Sequence, residues 1–218
     1  MARAGAGDVP VLVFTRTPVP GRVKTRLVPV LGARGAARLH RRMLRATVAT
    51  AVAAGSGPVE LWGGPSVEHP YLVELSRAFG VGLRLQRGAD LGMRMHHALS
   101  AACAAAPAAL LVGSDCPALE PADLRAGARA LAEGADAVLG PADDGGYYLV
   151  GVRSSDTRVF AGIEWGASGV LDATRARLRM LGWRWCELAV RRDVDRPEDL
   201  SAARALLGRC GDPKAPIF

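Results

Sequence analysis

The stretch Ala109-Leu110-Leu111-Val112-Gly113-Ser114-Asp115-Cys116-Pro117 sets the fold class. Leu110 to Val112 is a short, wholly apolar run, the pattern of a strand covered on both faces inside a parallel sheet. The run stops at Gly113, and Pro121 opens a helix-compatible segment where its missing N–H costs nothing. In open α/β sheets ligands lie beyond the carboxyl ends of the strands, so Asp115 stands where a ligand would be met. A turn or capping aspartate has the same local pattern. The segments on either side bear on the choice.

Towards the N-terminus, Val9 to Phe14 reads as a first strand, again nearly all apolar. Thr15 to Leu31 has no apolar period. Three prolines and Gly21 make it a long rigid loop, crowded by Arg16, Arg22, Lys24 and Arg26. The glycine spacing of a Walker loop is absent. Forked arginine donors and a lysine point charge still suit nucleotide phosphates, the alternative being a solvated arginine-rich loop. Ala33 to Ala54 reads as a helix with Ala36, Leu39, Met43, Thr47 and Ala51 on its buried stripe. Strands follow at Val59 to Trp62 and Leu83 to Gln86, with a helix from Pro70 to Phe79 between them. Asp90 is expected to cap a helix running to about Ala105. His96 and His97 are adjacent and face different ways, so they form no i, i+4 metal pair.

Towards the C-terminus, a helix is expected over Pro121 to Glu133 and a strand over Asp136 to Pro141. Asp143-Asp144-Gly145-Gly146 is either a hairpin turn or a place where carboxylates and bare backbone approach a ligand; both readings stay open. A helix from an N-cap at Ser168 to Leu181 and a strand from Trp183 to Val190 follow. Asp195 has the capping-box spacing to Glu198, with Pro197 in the first turn. Asp193 has no such role. In an extended D-x-D segment the two carboxylates point the same way and can close on one divalent cation.

The chain has 218 residues, 50% of them hydrophobic and 5% aromatic, which suits one α/β domain with an Ala, Val and Leu core over about 9–207 and loose ends. Only Lys24 and Lys214 are lysines among 28 basic residues, and the net charge is +7. The arginines are dispersed and interleaved with alanine, so the charge points to anionic small molecules rather than nucleic acid. Cys103, Cys116, Cys186 and Cys210 lack paired C-x-x-C spacing, which argues against zinc and for a reducing compartment. With no signal-peptide pattern or membrane-length apolar run, a cytoplasmic location without a membrane partner is expected.

In order along the chain stand Arg16-T-P-V-P-G-R-V-K-T-R-Leu27, Asp90-L-G-M-R-Met95, Gly113-S-D-C-Pro117, Gly140-P-A-D-D-G-G-Y-Y-L-V-Gly151, Trp165-Gly166 and Asp193-V-D-R-P-E-D-Leu200. This set, spanning roughly Val11 to Leu207, resembles the DUF2064 family, also called the radical-SAM/selenodomain-associated transferase 1 family. The resemblance implies a three-layer α/β/α fold with a mostly parallel sheet, that of the nucleotide-diphospho-sugar transferases (GT-A). It further implies glycosyl transfer, with arsenosugar-type pathways suggested by gene neighbourhood. The fold is also similar to that of 2-phospholactate guanylyltransferases. Carried over through these resemblances, Asp115, Asp193 and Asp195 hold Mg2+ or Mn2+. Arg16, Gly21, Lys24, Thr25, Arg26, Gly92 and Arg94 take the nucleotide and its phosphates. Gly145, Gly146, Tyr147 and Trp165 meet the small-molecule acceptor, and Asp143, Asp144 and Lys24 are the catalytic candidates.

Three functions follow as expectations. The first is glycosyl transfer from a nucleotide-sugar, with Asp143 or Asp144 deprotonating the acceptor. The second is nucleotidylyl transfer from a nucleoside triphosphate, with pyrophosphate released. The third is a catalytically silent nucleotide-binding module.

Overall fold

The computed structural model describes residues 9–207. Chain order is β1 (Val11–Arg16), α1 (Val28–Ala54), β2 (Val59–Gly64), α2 (Pro70–Phe79), β3 (Gly82–Leu85), α3 (Leu91–Cys103) and β4 (Ala109–Gly113). Then come α4 (Pro121–Ala132), β5 (Ala137–Pro141), β6 (Tyr147–Val152), α5 (Thr157–Phe160), α6 (Val170–Met180), β7 (Trp185–Glu187) and α7 (Leu200–Leu207). Short 3-10 turns occupy Thr25–Leu27 and Pro197–Asp199.

The strands form one sheet in the order β3-β2-β1-β4-β6-β5-β7. Only β6 runs against its neighbours. The order reverses direction between β1 and β4, which pair in parallel from Val11 with Leu110 to Phe14 with Gly113. A crevice therefore opens beyond the carboxyl ends of these two strands.

Side chains alternate across the sheet, as a strand period of two demands. Val11, Val13, Leu110 and Val112 face α1, α2 and α4 and pack on Leu44, Leu75 and Leu124. Leu12, Phe14 and Leu111 face α3, α5 and α6 and pack on Leu99, Phe160 and Leu178. The expected double burial of the central strand is what the molecule has. A third cluster joins Leu27, Leu39 and Met43 to Val194, Ala203 and Leu207. It is small, but it fixes the acidic loop after β7. Burying Val194, 1% exposed, contributes about 1.5–3 kcal/mol to holding that loop.

The structure corrects several boundaries. Helix α1 starts at Val28, not Ala33, with a break at Gly32 (φ 67°, ψ 162°) inside it. Proline at its first turn makes the early start possible, because helix N–H groups there have no intrahelical partner. Gly169, not Ser168, is the N-cap of α6. Strand β7 covers only Trp185–Glu187, followed by a lone bridge from Arg191 to Ala142. Asp195 caps nothing. Instead Asp199 Oδ2 accepts from the backbone N–H groups of Asp195 and Arg196, at 3.1 and 2.9 Å. Asp90 does cap α3, accepting from Met93 N–H at 2.8 Å. Among the described residues no helix is long and apolar enough to cross a membrane. Cys210 and the tail expected to be loose lie outside the described residues.

Candidate active site

The loop after β1 folds back on the crevice through Lys24. Pro20 and Gly21 sit at the centre of a turn closed by Arg22 N–H donating to Val19 C=O, at 3.0 Å. Lys24 itself adopts a left-handed backbone (φ 47°, ψ 46°), a conformation that costs a non-glycine residue energy. That twist sends its side chain inward, where it is only 4% exposed. The ammonium donates to Val194 C=O at 2.6 Å and lies 3.1 Å from Asp115 Oδ2 and 3.7 Å from Asp195 Oδ1. Arg26 also pairs with Asp195, from a largely exposed position. The two cations two residues apart thus converge on one carboxylate. Arg16, Arg22, Gly21 and Thr25 stand exposed around them.

Asp115 follows β4 at the β1–β4 crevice. Its carbonyl accepts from Val194 N–H at 2.9 Å, so the acidic loop is docked directly on the end of β4. Its carboxylate meets Lys24 on Oδ2, while His40 Nδ1 lies 3.8 Å from Oδ1. Burial opposes ionisation here, but the Lys24 ammonium, helped by His40, outweighs it and holds the carboxyl below the ordinary carboxylate range.

Asp193 is the opposite case. Val194 points into the third cluster, so by alternation Asp193 and Asp195 both turn to the cleft they line. Asp193 Oδ1 is buried without a hydrogen-bond partner. Burial, then the charges of Asp115 and Asp144, push its pKa up to about 7 against the pull of Lys24. The Cys116 thiol is pushed up by burial and by Asp193 beside it, so it is no nucleophile.

The cleft, about 550 Å³, is closed on its far side by the β5–β6 hairpin. Gly145 N–H donates to Ala142 C=O and Ala142 N–H to Gly146 C=O. With Gly145 at φ 88°, this is a three-residue hairpin loop ending in a left-handed residue. A Cβ at Gly145 would lie 1.9 Å from Ser168 C=O, so only glycine permits the contact with the start of α6. The hairpin-turn reading of D-D-G-G is what the structure has. Asp143 and Asp144 also line the cleft. Asp144 Oδ1 accepts from Gly146 N–H at 2.9 Å, and Asp143 lies 3.5 Å from Arg192. The floor is apolar: Phe14, Leu91, Met95 and Leu111, with Tyr147 and Trp165 packed edge to face at 6.5 Å.

Gly92 and Arg94 do not line this cleft. A Cβ on Gly92 would meet the Trp165 indole at 2.6 Å, so this glycine seats the tryptophan. Arg94 Nε donates to Gly88 C=O at 3.1 Å. Sequence reasoning missed His40, Arg192 and Asp199. The signal for His40 was present: it stands four residues after Ala36 and three before Met43, a polar side chain on the buried stripe, and is 3% exposed.

Among the described residues no three His, Cys, Asp or Glu side chains form a group that could hold a metal ion by themselves. The unpartnered oxygen of Asp193, with Asp115 near enough to raise its pKa, would suit an ion that takes one or two carboxylates and fills its shell with phosphate oxygens and water. Hard oxygen donors of this kind fit Mg2+ or Mn2+.

Solved structures of similar fold fall in two classes. A protein of Desulfovibrio desulfuricans G20, assigned as a nucleotide-diphospho-sugar transferase, is 29% identical over 93% of this chain and 98% of that one, with a TM-score of 0.79. The 4-diphosphocytidyl-2C-methyl-D-erythritol synthase of Anaerococcus prevotii DSM 20548 is 12% identical, covering 93% and 97%, at a TM-score of 0.60. Glucosyl-3-phosphoglycerate synthase of Mycobacterium tuberculosis, solved with Mn2+, uridine diphosphate and glucosyl-3-phosphoglycerate, is 14% identical, covering 96% and 82%, at 0.53. At these identities the last two show the fold alone. No curated protein matches the chain. The family model described as "Uncharacterized protein conserved in bacteria (DUF2064)" matches residues 47–167, more than half of the chain and including the Gly113–Pro117 and hairpin motifs. With the GT-A architecture and its acidic crevice in place, the chain belongs to the DUF2064 family.

Proposed function

We propose that the protein is a divalent-metal-dependent transferase acting on a nucleotide-activated substrate, and that it transfers a glycosyl group from a nucleoside-diphosphate sugar to a small acceptor. The observation that carries this reading is the cleft of about 550 Å³, whose apolar floor of Trp165 and Tyr147 meets a wall of Asp143, Asp144, Asp193 and Asp195. Such a space holds one small ligand, with an apolar body for a sugar ring and carboxylates for its hydroxyls.

Arg16, Arg22 and Arg26 hold the phosphates by forked donors, with Gly21 and Thr25 shaping the loop that carries them. Asp115 and Asp193 would hold Mg2+ or Mn2+, which when bound neutralises charge building on the leaving diphosphate. Lys24 keeps Asp115 ionised and holds both Asp115 and Asp195 in place. Asp143 or Asp144 takes the acceptor proton. Gly145 and Gly146 keep the hairpin narrow enough for both carboxylates to reach the cleft. Gly92 contributes by seating Trp165, and Arg94 by bracing the turn at Gly88.

Nucleotidylyl transfer is the second reading. It is favoured by the number of cations at the end of β1, which exceeds what a diphosphate needs and suits a triphosphate. The test is a panel of nucleoside-diphosphate sugars and nucleoside triphosphates, followed separately for nucleoside-diphosphate and pyrophosphate release. Diphosphate release from a nucleotide-sugar is the expected result. Pyrophosphate release selects the second reading, and binding without either product leaves a silent nucleotide-binding module.

A further inference from the structure

We propose that His40 is a positioning residue for Asp115, tying the end of β1 to the carboxylate at the end of β4; this rests on the reading of Asp115 as a metal-holding residue. His40 projects from α1, is 3% exposed and spends one edge of its ring on β1. Nε2 lies 3.1 Å from Thr15 Oγ1 and 3.1 Å from Arg16 C=O. Nδ1, on the other edge, is buried and has no hydrogen-bond partner. The group it faces is Asp115 Oδ1, at an ion-pair separation of 3.8 Å. Lys24 is 3.1 Å from the other carboxylate oxygen. Asp115 thus has a loop lysine on one oxygen and faces a helix histidine across 3.8 Å on the other, a gap that an Nδ1–H donor would close as the site tightens.

The arrangement matters because Asp115 sits in a loop and is 44% exposed at its side chain. Without Nδ1 the carboxylate is held on Lys24 alone and can swing about that contact. A ligand's outer partners fix its orientation, and their loss commonly weakens metal binding about 10–100-fold. The same ring touches Arg16 C=O, next to the exposed arginine at the phosphate end of the crevice. His40 therefore joins the two halves of the site.

Two near-isosteric substitutions separate this role from simple packing. His40→Asn places its amide where Nδ1 stands and keeps a donor towards Asp115. His40→Gln places its amide where Nε2 stands and keeps only the contact to β1. Mn2+ binding to the full chain, read by the loss of the free-ion electron paramagnetic resonance signal, is expected to weaken about tenfold or more in His40→Gln and to stay within about threefold of wild type in His40→Asn. The reverse order, or equal losses, would show that the ring serves β1 or packing and overturns the proposal. A second measurement needs no metal. Asp115→Asn should shift the urea midpoint in the wild-type and His40→Asn backgrounds, and shift it less in His40→Gln. An equal shift in all three overturns the proposal whether or not Mn2+ binds, whereas absence of Mn2+ binding to the wild type overturns the metal reading of the site and not this contact.

Discussion

At the end of β4, Asp115 has a buried ammonium on one oxygen and a histidine near the other, and its carboxyl is held below the ordinary range. In the loop after β7, Asp193 has an orphaned oxygen, burial and two acidic neighbours, and is pushed up to about 7. The two side chains are close enough to interact, and their loops share the bond from Val194 N–H to Asp115 C=O. What separates them is who supplies the counter-charge. The protein supplies it for Asp115. For Asp193 the pull of Lys24 is outweighed by burial and by Asp115 and Asp144, so an incoming cation gains most by binding beside Asp193.

That contrast predicts its largest effect on ligand binding. Asp115→Asn and Asp193→Asn are each expected to abolish Mg2+-dependent nucleotide binding in calorimetric titration, and Asp195→Asn to impair it. In the absence of metal the first two should part company, Asp115→Asn lowering the melting temperature and Asp193→Asn raising it near pH 8. Identical behaviour of the two apoproteins would break the comparison.

The hairpin extends it to the carboxylates proposed to take the acceptor proton. Replacing Asp143 and Asp144 together by Asn keeps a turn-forming sequence and the Oδ1 acceptor for Gly146 N–H. Turnover should fall about a hundredfold with nucleotide affinity and the fold preserved, the usual scale for a lost general base. Steady-state kinetics unchanged in this double variant would reduce D-D-G-G to a turn.

Two glycines sharpen the same contrast in packing. Gly145→Ala sets a methyl 1.9 Å from Ser168 C=O at a φ of 88°, so a loss of about 2–4 kcal/mol is expected in urea unfolding. At Gly113, on the end of β4, an added Cβ meets nothing within 4 Å, and Gly113→Ala should change stability by under about 0.5 kcal/mol. Equal costs would mean that the hairpin is not sewn to α6.

The sheet was legible because its signals are local. Leu110 to Val112 and Val11 to Phe14 are apolar runs whose burial depends on nothing but their own sequence and a parallel neighbour. Gly55 and Gly80, left-handed residues that end α1 and α2, are local signals of the same kind. The acidic motifs were found by their residue types, and Asp193 and Asp195 do turn to one cleft. What sequence could not carry was the balance of charge. Lys24 reads as one of four loop cations, yet it is the one taken inside, by a left-handed backbone and by partners brought from β4 and from the loop after β7. Asp195 matched a capping spacing, but Asp199 won the cap because its carboxylate reaches two N–H groups and leaves Asp195 to the two cations. His40 was lost in a stripe that was counted only for its apolar members.

The pH dependence of stability isolates Asp193. An ordinary aspartate titrates near 3.8, and Asp193 in the folded protein near 7, so on acidification the folded state takes up this proton before the unfolded chain does. The raised value means that its contribution to stability is fully present below about pH 4 and is lost as pH rises through about 7. Asp115, shifted the other way, contributes above the ordinary carboxylate range and loses that contribution only as pH falls below it. Between pH 5 and 8 the two therefore do not overlap. Asp193→Asn mimics the protonated acid at every pH, so subtracting its melting curve from the wild type removes the titrating groups that do not interact with Asp193 and leaves Asp193 with its neighbours Asp115 and Asp144. In chelator-treated protein the variant should melt about 3 °C or more above wild type at pH 8, and the gap should close by pH 5. A gap that stays constant over this range would mean that Asp193 is ionised throughout, with a counter-charge of its own, and the difference between the two carboxylates would disappear.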